Sequence, residues 1–209
     1  MLEQISFYFP DLQEEQLIQL KRLKQLYTEW NQKINVISRK DMDAFYLHHV
    51  LHALSIGKLI QFRAGTKLLD VGTGGGFPAV PLAILFPDSQ FVAVDAVGKK
   101  IKVLRAVAGA IGLKNIEAMH QRAEQVDEQF DFVLSRAVCR AKKIITWVDH
   151  LLKEDSFNQF NNGYLLLKGG DLKEELEETA RPYKIYSLSD FFKEEFFETK
   201  RLVYLPSVR

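Results

Sequence analysis

The residues best placed to do chemistry sit where short apolar runs end. Lys67-Leu68-Leu69-Asp70-Val71 leads into Gly72-Thr73-Gly74-Gly75-Gly76-Phe77-Pro78, a carboxylate followed by a glycine-rich turn. Glycines suit a strand-to-helix turn that needs positive φ and must let a ligand touch the main chain. Such a turn binds a nucleotide-like cofactor through its backbone. The dinucleotide pattern Gly-x-Gly-x-x-Gly ends on a glycine that lets the helix pack closely on the strand. Counted from Gly72, that sixth position is Phe77. A second β-type run, Ser89 to Val94, ends at Asp95, roughly twenty residues beyond the glycines, where a ribose-binding acid belongs. A carboxylate there accepts from both ribose hydroxyls, which predicts an adenosine-containing ligand without choosing among cofactors.

The elements that must position these residues fall into two zones. Up to about Gln61 the chain reads as helical. Leu17, Leu20, Leu23, Tyr27, Trp30 and Ile34 recur at helical spacing after a start signal at Asp11 with Glu14, and Ser38 and Asp41 open a second helix expected to run to Leu59. From there on the pattern alternates. Strands are expected at 67–71, 90–94, 115–120, 130–135, 164–168, 183–188 and 200–205, with helices at 81–85, 98–111, 140–152 and 172–180 and a surface loop at 155–162. This alternation predicts an α/β fold with a mostly parallel sheet and function at the carboxyl ends of its strands. The expected organisation is a helical extension over residues 1–61 packed on a core over 62–209.

Composition bounds the class. With 209 residues, 47% hydrophobic, the chain is long enough for one full core. No apolar run reaches bilayer length and no leader pattern precedes the first helix, so a cytoplasmic protein without membrane contact is expected. The single cysteine, Cys139, excludes an intrachain disulfide framework. A net charge of +1 argues against indiscriminate RNA binding.

The loop, with Asp70 as its leading acid, resembles the Asp/Glu-x-Gly-x-Gly-x-Gly pattern of S-adenosylmethionine-dependent methyltransferases. A more specific resemblance covers nearly the whole chain. Trp30-Asn31 with Asn35-Val36-Ile37, Leu47-His48-His49-Val50, Asp70 to Pro78, Asp95 with Gly98-Lys99-Lys100, Arg122-Ala123-Glu124, Ser135-Arg136-Ala137 and Lys168-Gly169 follow the order of the glucose-inhibited division protein B family, RsmG. That resemblance implies a Rossmann-like class I methyltransferase with a seven-stranded sheet and an N-terminal helical extension. It also implies methyl transfer from S-adenosylmethionine to N7 of a guanine, position 527, in the 530 loop of 16S rRNA in the small ribosomal subunit. By the same resemblance Gly72, Gly74, Gly76, Phe77, Asp95, Ala123, Glu124 and Arg136 hold the cofactor, with Arg136 beside the reacting centre. The family's His-x-x-Asp-Ser is here His49-Val50-Leu51-His52-Ala53, so the role of that acid does not carry over.

The residues themselves are compatible with that chemistry. The position after the fourth strand reads Ser135-Arg136-Ala137, not the Asp/Asn-Pro-Pro-aromatic turn of enzymes that methylate exocyclic amines. Val138 precedes Cys139 where cytosine-C5 enzymes commonly have proline, and a free cysteine is more often a small buried hydrophobe. Guanine N7 carries an in-plane lone pair and no proton, so positioning suffices and no general base is needed. Arg136 suits guanine O6 or a phosphate; the alternative is an ion pair with Asp70 or Glu124. His49, Lys99, Lys100, Arg140 and Lys168 are RNA-contact candidates within a basic set that also holds Lys102, Arg105, Lys142 and Lys143. His48 and His52 share a helical face, but no third ligand is visible and no metal is expected. A monomer is favoured. Two other classes remain: an NAD-dependent oxidoreductase, disfavoured by Phe77, and a catalytically idle RNA-binding module on the same fold.

Overall fold

The computed structural model describes residues 2–208. Its N-terminal part is helical: α1 (Leu2–Tyr8), α2 (Glu14–Asn31) and α3 (Arg39–Asp43). Helix α2 starts beyond the Asp11 signal. Its N-cap is Gln13, whose backbone N–H donates to Gln16 Oε1 at 2.8 Å, a glutamine version of the reciprocal cap expected around Glu14. Leu20, Leu23 and Tyr27 form its fully buried stripe. Ser38 caps α3 through Asp41 N–H, as its position predicts.

The expected continuous helix to Leu59 is instead broken. A π-helical stretch, Tyr46–Leu51, runs into α4 (His52–Leu54) and α5 (Ile56–Leu59). Phe45, Tyr46, Val50, Leu51, Ala53, Leu54 and Ile56 are all buried, so most of this segment is enclosed and its geometry answers to its surroundings. Wide π-turns recur at functional sites.

Seven strands follow: β1 (Lys67–Val71), β2 (Gln90–Asp95), β3 (Ile116–His120), β4 (Phe132–Arg136), β5 (Gly163–Gly169), β6 (Lys184–Ser187) and β7 (Lys200–Pro206). Their order is β3-β2-β1-β4-β5-β7-β6, with β7 antiparallel to both neighbours and the other pairings parallel. Helices α6 (Ala79–Leu85), α7 (Gly98–Ala110), α8 (Ala141–Val148) and α9 (Lys173–Glu177) make the connections. Adjacent strand residues point to opposite faces. Leu68, Phe132 and Leu134 join a cluster with the N-terminal helices, α6 and α7, whereas Leu69, Val71 and Val133 join a second one with α8 and α9. The chain reverses its strand order between β1 and β4, which opens a crevice at their carboxyl ends.

Candidate active site

The crevice is a cleft of about 500 Å³. Its floor is the glycine loop after β1. Thr73 N–H donates to Val94 O at 3.0 Å, and the Gly76 and Phe77 amides both turn back on Thr73 O, so the loop is tied to β2 and closed on itself. Gly72 and Gly74 have φ of +68° and +60°. A Cβ on Gly72 would strike Val138, but one on Gly74 would meet nothing within 4 Å because it faces the cleft. Gly76 lies behind the loop against Val80, Leu104 and the Tyr27 hydroxyl, so its part is packing and not the ligand contact expected of it; Gly75 lines the cleft instead.

Two carboxylates hold this loop. Asp95, at the end of β2, accepts from Gly74 N–H at 2.9 Å and Val97 N–H at 2.8 Å, which leaves its free lone pairs toward the cleft it lines. Asp70, fully buried, accepts from Ala79 N–H at 3.2 Å at the start of α6. Burial pushes its pKa up to about 7, against the hydrogen bond from Ala79 N–H and the charge of Arg136, which pull it down.

The tip of β4 forms the opposite wall. Ser135 Oγ donates to Val71 O at 3.0 Å and stitches β4 to the end of β1. Arg136 makes neither of the ion pairs weighed for it. Its Nη1 donates to His48 O at 3.2 Å and its Nη2 to His49 Nδ1 at 3.0 Å, while the guanidinium lies 5.1 Å from the Phe77 ring centroid. Burial lowers its pKa to about 10, so it stays charged at neutral pH. Since His49 Nδ1 accepts, its proton is on Nε2, and burial with the neighbouring Arg136 charge holds the imidazole pKa down at about 3. His49 is therefore a neutral prop for Arg136. Ala137, next in the chain, has φ +55° and lines the cleft, a backbone conformation that side chains seldom adopt.

The far end is made by Ala123 and Glu124 on a single 3-10 turn, with Lys100 of α7 at the rim. Val36, Thr73, Gly75, Gln121, Arg122 and Trp147 also line the cleft and were given no role from the sequence. Val36 belongs to a motif visible there. Trp147 could have been found only by knowing that α8 packs beside the Ala123 turn.

Other candidates are engaged elsewhere. Arg140, half-exposed, is paired with Glu178 at 2.8 Å and Glu174 at 3.5 Å, and Lys168 with Glu175 at 2.8 Å, so both cations have carboxylate partners on α9 and its flank. Arg105 donates twice to Ala118 O and covers β3. Lys99 and Lys102 remain exposed on α7. His48 donates to Asp41 at 3.0 Å and stacks on Phe196, and His52 is buried edge-on to Phe196 and Phe197. Among the described residues no group of three or more His, Cys, Asp or Glu could hold a metal ion. The thiol of Cys139 lies outside the cleft lining, and burial raises its pKa, which leaves it a poor nucleophile. Among the described residues no helix is long and apolar enough to cross a membrane.

The aromatic group beneath the loop binds the halves of the site together. The Tyr27 ring lies 5.0 Å from Phe77 and 5.5 Å from Phe45, and its hydroxyl donates to Gly75 O at 2.7 Å. Tyr27→Phe leaves that carbonyl unsatisfied in a buried place, at a cost of about 1–3 kcal/mol. Thermal unfolding of the variant should start several degrees lower. An unchanged Tm would show that the bond contributes nothing.

A family model described as rRNA small subunit methyltransferase G, GidB, matches residues 16–204. The chain belongs to that family. Ribosomal RNA small subunit methyltransferase G of Cytophaga hutchinsonii is 53% identical over 203 residues, covering 97% of this chain and 98% of its own. The protein of that name from Flavobacterium psychrophilum is 51% identical over 205 residues, with 98% of each chain covered. Among solved structures, a SAM dependent methyltransferase from Aquifex aeolicus superposes with a TM-score of 0.58 at 15% identity, over 82% of this chain and 100% of that one. This last likeness is one of fold. Within the GidB family frame, the glycine loop, Asp95 and Arg136 fall at one cleft, as their order in the sequence implied.

Proposed function

We propose that this protein transfers a methyl group from S-adenosylmethionine to N7 of a guanine in the 530 loop of 16S rRNA. The observation that carries the reading is Arg136 at the tip of β4, a charged donor held over Phe77 and beside a glycine cradle. The cleft also suits the cofactor. The space beside Gly74 is open where a Cβ would otherwise intrude, and Asp95 lies at its rim with lone pairs for ribose hydroxyls. Bound there, the cofactor supplies an electrophilic methyl on sulfur.

The chain's own residues do the positioning. Of the five N–H donors of a guanidinium, two are engaged by His48 and His49, and the others are available to the O6 edge of a guanine. Guanine N7 then presents its lone pair with no proton to remove, so a site whose nearest imidazole is a neutral, engaged prop lacks nothing for the reaction. Small-subunit particles lacking the modification are the substrate to offer. Borohydride and aniline cleavage, read by reverse transcription, should place 7-methylguanine in the 530 loop. A methyl group on a cytosine or on an exocyclic amine would sink the reading.

Asp95 separates cofactor binding from RNA binding. Asp95→Ala removes an acceptor for the ribose and releases the Gly74 and Val97 amides, so affinity for S-adenosylhomocysteine should fall by about 1–3 kcal/mol in calorimetry. RNA affinity should hardly move. Equal loss of both would refute the ribose assignment, and binding of NAD would favour the oxidoreductase reading instead.

A further inference from the structure

The segment joining α2 to α3 carries Asn31, Asn35, Val36 and Ile37, a run that the cofactor reading leaves without a role. Asn31, the last residue of α2, folds back over it. Its Oδ1 accepts from Val36 N–H at 2.8 Å and Ile37 N–H at 3.1 Å, and its Nδ2 donates to Ile37 O at 2.7 Å. One amide thus satisfies three backbone groups of an irregular loop and fixes its shape.

The fixed loop is set down on the glycine turn. A Cβ at Gly75 would stand 3.1 Å from Val36 Cβ and 3.2 Å from its Cγ2. Gly75 is not among the positive-φ glycines, so its lack of a side chain serves this close approach and not the turn. Tyr27 reaches the same place, with its ring on Phe77 and its hydroxyl on Gly75 O. Val36 therefore lines the cleft against Gly75, beside the Tyr27 ring that packs on Phe77.

We infer that Val36, held by Asn31, is the apolar wall on which the acceptor base is seated. The inference rests on the methyltransferase reading above and assigns the base-facing part of that site to the N-terminal segment. Arg136 supplies donors to a base edge, but donors alone leave the plane of a purine free to tilt. A β-branched side chain is stiff about χ1 and offers a flat apolar face that excludes water. Asn31 is then a positioning residue: it touches neither base nor cofactor and acts through the loop.

The test splits cofactor affinity from transfer. Val36→Ala should keep the S-adenosylhomocysteine Kd within about threefold of native, yet lower kcat/KM for unmodified small-subunit particles by about tenfold. Val36→Thr, nearly the same shape with an added hydroxyl, guards against a folding artefact and should show a smaller loss of the same kind. Asn31→Ala should reproduce the split. Asn31→Asp keeps the acceptor for the Val36 and Ile37 amides and should recover part of the rate. A cofactor Kd that weakens in step with transfer would place Val36 against the cofactor and overturn the inference, as would kcat/KM unchanged in Val36→Ala. Failure of the underlying reading shows separately, as a native protein that binds cofactor and leaves the rRNA unmodified.

Discussion

Arg136→Ala should lower single-turnover methylation of small-subunit particles by about a hundredfold or more, the usual loss when a preorganised donor at the reacting centre is removed. The side chain does two jobs. It lines the cleft, and it satisfies His48 O and His49 Nδ1, two acceptors of the π-helical stretch. Its place after the fourth strand suggests a cleft residue of little consequence for stability, but the structure makes it a tie between β4 and that stretch. The Ala variant should therefore also lose about 1–3 kcal/mol of stability through unsatisfied groups, and its rate is to be measured well below its Tm. Arg136→Lys should recover little, since an ammonium cannot span both acceptors and a base edge in one plane. Native activity in the Ala variant would refute the role outright.

Gly74→Val should abolish cofactor binding in calorimetry, a loss of more than about a hundredfold in affinity, or roughly 3 kcal/mol. Two effects combine. The residue sits at φ +60°, which a β-branched side chain tolerates poorly, and its new methyl groups would enter the cleft where the backbone now leaves open space. Gly74 N–H also donates to Asp95, so distortion of the loop spreads to that carboxylate. Gly74→Ala separates the two, because it keeps the strain with less intrusion and should bind with intermediate affinity. Native affinity in a folded Val variant would remove the loop from the cofactor site.

The central strands were legible because each is a short apolar run bounded by turn residues, and β3 and β6 from their place in the alternation with helical segments. The ends slipped by a residue or two, as at β4, where Phe130 forms only an isolated bridge to Leu152 and the ladder starts at Phe132. The π-helical break at Tyr46–Leu51 was not legible, since the same residue spacing fits an unbroken α-helix and the widened turn is set by tertiary packing. At the site, Asp95 and Ala123 follow from spacing and resemblance. Gly76 was assigned to the ligand because a motif names positions and not directions, and the structure shows it pointing into packing. Arg140 and Lys168 looked free because their partners on α9 and its flank are distant in sequence. His49 was an RNA-contact candidate; its ring nitrogen is engaged by Arg136, a partner distant in sequence.

The Tyr27 hydroxyl on Gly75 O fastens the glycine loop to α2 as well as to the sheet. Tyr27 and Phe77 lie in the same apolar cluster as Leu20, Leu23 and Phe45. Backbone groups that share partners open together, as one cooperative unit with one opening free energy. The glycine loop and α2 share such partners, so undocking of α2 would strip the loop of the Tyr27 bond and of the packing beneath it. Docking of α2 would then complete the floor of the cleft, and a form with a built sheet but undocked helices would lack that support.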